Sequence, residues 1–219
     1  MHKDERKFFI TRIIVGAGVM EVGGKIFGVG LPRTGTTSVS MAMIELGYRT
    51  GHVCFHESLY DQGDCFFDTP VYVDYPLLDK RYPNSKFILT WRDPKAWFVS
   101  FQKHLLPFFS PLKEENLGDA IVWKEMWRCY SAVFGRPETL TPYSLMLHYQ
   151  RHRQEVEKYF RNRPNDLLIL PVEGKDANWD ALCKFLDKPR PDKPFPFLNR
   201  DDVRVWDGLS HEKKVPSWL

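Results

Sequence analysis

Cysteine is sparse and scattered. Cys54, Cys65, Cys129 and Cys183 stand at irregular intervals with no Cys-x-x-Cys pair, which gives no ground for a zinc site or a disulfide framework; a reducing, cytoplasmic setting is expected. Long apolar runs are missing too. The N-terminal stretch 8–22 is interrupted by Thr11, Arg12, Gly16, Gly18 and Glu21, and falls short of the roughly 20 apolar residues that a bilayer crossing requires. The charged start leads into a short β-like run (Ile10, Ile13, Ile14, Val15) with no convincing small-residue cleavage site, so neither a membrane span nor a signal peptide is expected. Charge of one sign is not in excess either. With 31 Lys and Arg against 28 Asp and Glu, the net +3 is too balanced for a broad basic face that grips nucleic acid, and any anion site must be local. No period of 20–50 residues recurs, which removes solenoids and propellers.

What is present is material for a core. The 219 residues are 43% hydrophobic and 15% aromatic, a size and composition at which an α/β chain closes around one core. A single domain over 1–219 is expected, with its core at about 25–186 and a proline-rich wrap over 187–219. The element order supports this. A short strand at 25–30 runs into the glycine-containing loop LPRTGTT, and SVSMAMIELG then has helical apolar spacing ended by Gly47. A second strand–helix unit follows at 86–105: KFILTW is a continuous apolar run suited to a buried parallel strand, and Pro94 suits the first turn of the next helix. Between them, Pro76 is expected to limit residues 70–82 to short helical pieces on either side of it. Residues 142–161 read as a long helix with a polar face, 166–171 as another buried strand, and 177–186 as a helix with Trp179, Leu182, Cys183, Phe185 and Leu186 inward. Alternating strands and helices with buried strands predict a three-layer α/β/α fold with a central parallel sheet. The tail from Asp187 is too rich in proline for a regular helix or central strand and is expected to wrap the surface over the site.

Gly30 and Gly35 stand five apart between a strand and a helix, the setting in which backbone N–H groups and a helix N-terminus cradle a phosphate. Amides from Gly35 to Ser38, the hydroxyls of Thr36 and Thr37, and about half a positive charge at the helix end would supply the cradle. The loop lacks the lysine of an ordinary nucleotide triphosphatase: Thr36 occupies that place, and Arg33 is the loop's one cation.

The string Pro32-Arg33-Thr34-Gly35-Thr36-Thr37 resembles the phosphosulfate loop of the sulfotransferases that use 3′-phosphoadenosine-5′-phosphosulfate (PAPS), and Arg92 with Ser100, eight residues on, resembles that family's 3′-phosphate pair. GLPRTGTTS, YPNSKFILTWRDPKAWFVS, WDALCKFLDKP and PFPFLN extend the similarity over 25–200, to a P-loop, nucleotide-kinase-like sulfotransferase fold. The resemblance implies PAPS as cofactor, no metal, and transfer of a sulfuryl group to a hydroxyl or amine of a small-molecule acceptor. It implies that Arg33, Thr34, Gly35, Thr36, Thr37, Ser38, Arg92 and Ser100 bind the donor, with Arg33 also acting on the bridging oxygen during transfer. Two departures stand out: Ser38 is where many relatives stack a tryptophan on adenine, and their C-terminal RKG motif is missing, leaving Arg200 or Arg204 as substitutes.

Sulfuryl transfer requires a base for the acceptor's proton. Asp68 precedes Arg92 by 24 residues, close to the interval between the base and the 3′-phosphate arginine in relatives, and either takes the proton itself or orients His52 or His56 to do so. Against this, Asp68 before Thr69 and Pro70 also reads as a helix cap, and each histidine as a solvated or core residue. His148 and His152, the phenylalanines 98, 101, 108 and 109, and Trp123 and Trp127 are candidates for the acceptor pocket or plain packing. A P-loop nucleotide or small-molecule kinase, and a nucleotide-binding module without catalysis, are the alternatives.

Overall fold

The computed structural model describes residues 24–109, 121–136, 140–172, 177–198 and 206–217. The Ile10–Val15 run, Arg200 and Arg204 lie outside these residues.

Among the described residues six parallel strands form the sheet: β1 (Ile26–Gly28), β2 (Thr50–His52), β3 (Cys65–Phe67), β4 (Lys86–Trp91), β5 (Leu167–Pro171) and β6 (Lys214–Val215), in the order β5-β4-β1-β3-β2-β6. Seven α-helices accompany them among the described residues: α1 (Thr36–Glu45), α2 (Val71–Arg81), α3 (Pro94–His104), α4 (Leu106–Phe109), α5 (Ile121–Phe134), α6 (Pro142–Tyr159) and α7 (Ala177–Leu186).

The period-2 alternation of the strands sorts their side chains onto two faces. Phe27, Phe66, Phe87 and Leu89 join Val71, Tyr75 and Leu78 of α2 and Val156 of α6 in one apolar cluster. Ile26, Cys65, Phe67, Ile88 and Leu170 point the other way, onto Val39, Ala42 and Met43 of α1 and Trp179, Leu182 and Cys183 of α7. The result is the expected three-layer α/β/α fold with its parallel sheet between helices. A third cluster, built from Trp97, Phe101, Tyr130, Phe134, Leu145 and Tyr149, joins α3, α5 and α6 beside Leu31 and Tyr72.

Local chemistry accounts for the helix ends. Gly47, at φ 94°, closes α1: its N–H reaches Ile44 O, and Tyr48 N–H reaches Met43 O, satisfying carbonyls of the last turn. Asp93 caps α3 through bonds from Lys95 and Ala96 N–H, with Pro94 in the first turn. One expectation is corrected. α2 runs unbroken through Pro76, giving up one backbone bond while Val71, Tyr72, Tyr75 and Leu78 are buried beneath it; side-chain burial on one stripe outweighs the missing bond.

The chain passes from β1 to β2 and β3 on one side and returns to β4 on the other, so the sheet reverses direction at β1 and β4. Ligands of open α/β sheets bind outside the strand ends at such a reversal. The loop after β1 and Arg92 after β4 both lie there. The tail 187–198 forms neither helix nor strand, as expected, while Lys214–Val215 adds an edge strand beside β2.

Candidate active site

A cavity of about 580 Å³ opens at this edge. Its wall includes Arg33, Gly35, Thr36, Thr37, Ser38, His52, Asp68, Arg92 and Ser100, so nine of the residues singled out by sequence surround one space. Thr34 is not on the wall. Its hydroxyl donates to Leu31 O at 2.6 Å and meets Thr90 Oγ1 at 2.6 Å, bracing the loop from within. Gly30 is needed for that brace, because a Cβ there would lie 1.9 Å from Thr90 Oγ1. Gly35 turns the chain into α1 at φ 87°, and Arg33 also adopts a left-handed backbone, at φ 70°.

Two polar groups face the cavity. In the first, Arg33 Nε donates to Ser100 Oγ at 3.0 Å, and Arg92 Nη1 reaches Arg33 O at 3.5 Å. Burial, and then the charge of Arg92, push the Arg33 guanidinium below its ordinary pKa, while Asp68 opposes the shift. Two neighbouring guanidiniums held against their mutual repulsion make a site suited to an anion. In the second group, the Thr36 hydroxyl donates to Asp68 Oδ2 at 2.8 Å, and Asp68 Oδ1 accepts from Thr69 N–H at 2.9 Å. His52 Nε2 stands 3.2 Å from Thr36 Oγ1, 3.3 Å from Thr37 Oγ1 and 3.6 Å from Asp68 Oδ2.

Asp68 is not the side-chain cap of α2; Pro70 precedes that helix, and the carboxylate is turned to the loop instead. Burial lowers the pKa of His52, with Asp68 pulling the other way, so the imidazole is neutral near pH 7. The tail fixes His52 from behind: the Trp206 ring lies 5.4 Å from it, and Ser217 Oγ donates to its carbonyl at 3.0 Å. Nothing in the sequence pattern linked residues 206–217 to this histidine.

Other candidates fall elsewhere. His56 caps the 3-10 turn at Glu57–Gln62 and is exposed. His148 bonds Arg151 on the surface, and His152 is buried with Nε2–H on Val29 O at 2.8 Å. Phe101 is core, Phe98 and Trp127 pack against that core, and Trp123 is partly exposed; none lines the cavity. The side chains of Phe108 and Phe109 lie outside the described residues.

The cavity wall also includes Tyr72, Leu105 and Met126, which belong to or pack against the third core cluster. The tail supplies Phe195, Pro196, Phe197 and Leu198, and Leu198 N–H donates to Ser38 Oγ at 2.9 Å. Phe197 is 55% exposed on that wall, whereas Phe195 is held edge-on against Trp179 at 5.0 Å. Among the described residues no group of three or more His, Cys, Asp or Glu could hold a metal ion, and no helix is long and apolar enough to cross a membrane.

The Ava biosynthesis cluster protein M of Aspergillus versicolor is 26% identical over 225 residues, covering 83% of each chain. The crystal structure of shikimate kinase from Bacteroides thetaiotaomicron aligns at 14% identity and TM-score 0.28, covering 61% of this chain and 98% of that one. A family model described as a sulfotransferase domain matches residues 25–58 and 55–203, most of the chain and every residue named on the cavity wall, and the protein belongs to that family.

Proposed function

We propose that the protein transfers a sulfuryl group from PAPS to a hydroxyl or amine of a small-molecule acceptor, without a metal. The observation that carries this is the convergence of Arg33, Ser100 and Arg92 beside a phosphate-type loop whose lysine position is Thr36. A loop with helix-end amides suits the 5′-phosphate, and a second cationic group at the end of β4 suits a 3′-phosphate. The donor thereby spans the reversal of the sheet.

In this mechanism the acceptor oxygen or nitrogen attacks sulfur and forms the new bond to it. The bond from sulfur to the bridging oxygen breaks, and its electron pair leaves with 3′-phosphoadenosine-5′-phosphate. Arg33 and the loop amides stabilise the charge that builds on that oxygen. Asp68 takes the acceptor's proton, and neutral His52 holds the carboxylate and the threonine hydroxyls in place. Phe197 offers the flat apolar surface on which adenine stacks, replacing the tryptophan that Ser38 displaces. The relative named for a biosynthesis cluster is consistent with a small-molecule acceptor.

Asp68 beside the loop threonines also suits a second reading, a P-loop kinase in which a carboxylate helps hold Mg²⁺. The absent lysine argues against it. The test is incubation of the protein with sulfur-35-labelled PAPS and a mixed panel of phenols, alcohols and amines, with EDTA present. Label transfer to an organic product supports the proposal. Transfer that requires Mg²⁺, or phosphoryl transfer from ATP instead, contradicts it.

A further inference from the structure

Arg92 follows the last residue of β4. Both of its backbone groups meet one hydroxyl. Arg92 N–H donates to the Tyr149 oxygen at 3.1 Å, and Tyr149 O–H donates to the Arg92 carbonyl at 3.1 Å. Tyr149 comes from α6, 57 residues further along the chain. Its ring is sandwiched between Trp91, at 4.3 Å and 11°, and Trp97, at 4.2 Å and 9°. Trp97 Nε1–H in turn donates to Pro32 O in the phosphate loop at 3.0 Å. The outer face of Trp91 carries the Arg153 guanidinium, 4.6 Å from the ring centroid.

One aromatic stack therefore touches both halves of the anion site: the loop through Trp97 and Arg92 through Tyr149. We infer that Tyr149 is a positioning residue that sets the Arg92 backbone, and with it the selectivity for a nucleotide carrying a 3′-phosphate. This rests on the donor assignment above. Parallel rings at about 4 Å are rigid, so the hydroxyl has little freedom, and it meets both backbone groups of Arg92. Arg92 then leaves the strand at a fixed angle without reorganising when the anion arrives. The ring belongs to the core, and the hydroxyl reaches the site through its bonds to Arg92.

The test separates ring from hydroxyl. Tyr149→Phe keeps the stack, and binding is measured for 3′-phosphoadenosine-5′-phosphate and for AMP, which lacks the 3′-phosphate. The expected result is a loss of about tenfold for the bisphosphate with AMP unchanged, and a KM for PAPS raised by the same factor at constant kcat. In an Arg92→Ala background the same substitution should have no further effect, because two residues acting through one contact are not additive. Equal losses for both nucleotides, an additive loss in the double variant, or no loss overturn the inference. Wild-type protein that does not prefer the bisphosphate over AMP overturns the donor assignment itself, and the inference with it. Thermal unfolding of Tyr149→Phe near that of the wild type confirms that the stack survives.

Discussion

The Thr36 hydroxyl donates to Asp68 Oδ2 across 2.8 Å, joining the first turn of α1 to the residue that follows the neighbouring strand β3. One bond thus holds the proposed base beside the proposed donor, and His52 closes the cluster from the next strand outward.

If Asp68 takes the acceptor's proton, replacing one oxygen with an amide nitrogen removes the proton acceptor while nearly conserving shape. Asp68→Asn should lower kcat by about a hundredfold or more, within the usual span for a lost general base. Donor affinity, read by calorimetry, should stay within a few fold of wild type on the same argument. Activity near that of the wild type would move the base role to His52.

The tail should contribute to binding through the exposed ring of Phe197. Stacking of a base on an aromatic side chain is worth about 1–3 kcal/mol, so Phe197→Ala should weaken 3′-phosphoadenosine-5′-phosphate roughly tenfold. Binding of ribose 3,5-bisphosphate, which has no base, should be unaffected. Equal effects on both ligands would mean that the ring only closes the cavity.

His152 makes stability depend on pH. Burial holds its pKa at about 4 against an ordinary 6.5, and its Nε2–H is committed to Val29 O, just before Gly30. The unfolded chain binds a proton here below pH 6.5 while the folded chain does not until about pH 4, so the contribution is whole above 6.5 and is lost as pH falls towards 4. At about 1.4 kcal/mol per pH unit the full effect is roughly 3 kcal/mol. Urea unfolding at pH 7.5 and pH 5 should show the decline, and His152→Gln should flatten it. An unchanged slope in the variant would assign the pH dependence to other groups.

Much of this was legible in the sequence. The loop and helix around Gly30 and Gly35, the apolar run before Arg92, and the helices at 142–161 and 177–186 carry enough residues for period and caps to show. β2 and β3 have three residues each and β6 has two, too few for alternation to emerge, and Gly51 sits inside β2. Pro76 was a misleading signal because burial of one helix stripe outweighs a single missing bond. At the site, the loop and the Arg92–Ser100 spacing are local patterns. Tyr149 and Trp206 are not: each reaches its partner from far along the chain, and an aromatic residue bound for the core carries the same sequence signal as one that orients an arginine or a histidine.

The most direct test of the donor assignment is calorimetric titration of the full chain with 3′-phosphoadenosine-5′-phosphate, with and without Mg²⁺, beside ATP with Mg²⁺ and the Arg92→Ala variant. A PAPS site should bind the bisphosphate with indifference to the metal, at least about tenfold tighter than ATP, and should lose that affinity by a similar factor or more in the variant, as expected for a charge-assisted contact. Tighter binding of ATP with Mg²⁺, together with little change in Arg92→Ala, would contradict it and favour phosphoryl transfer.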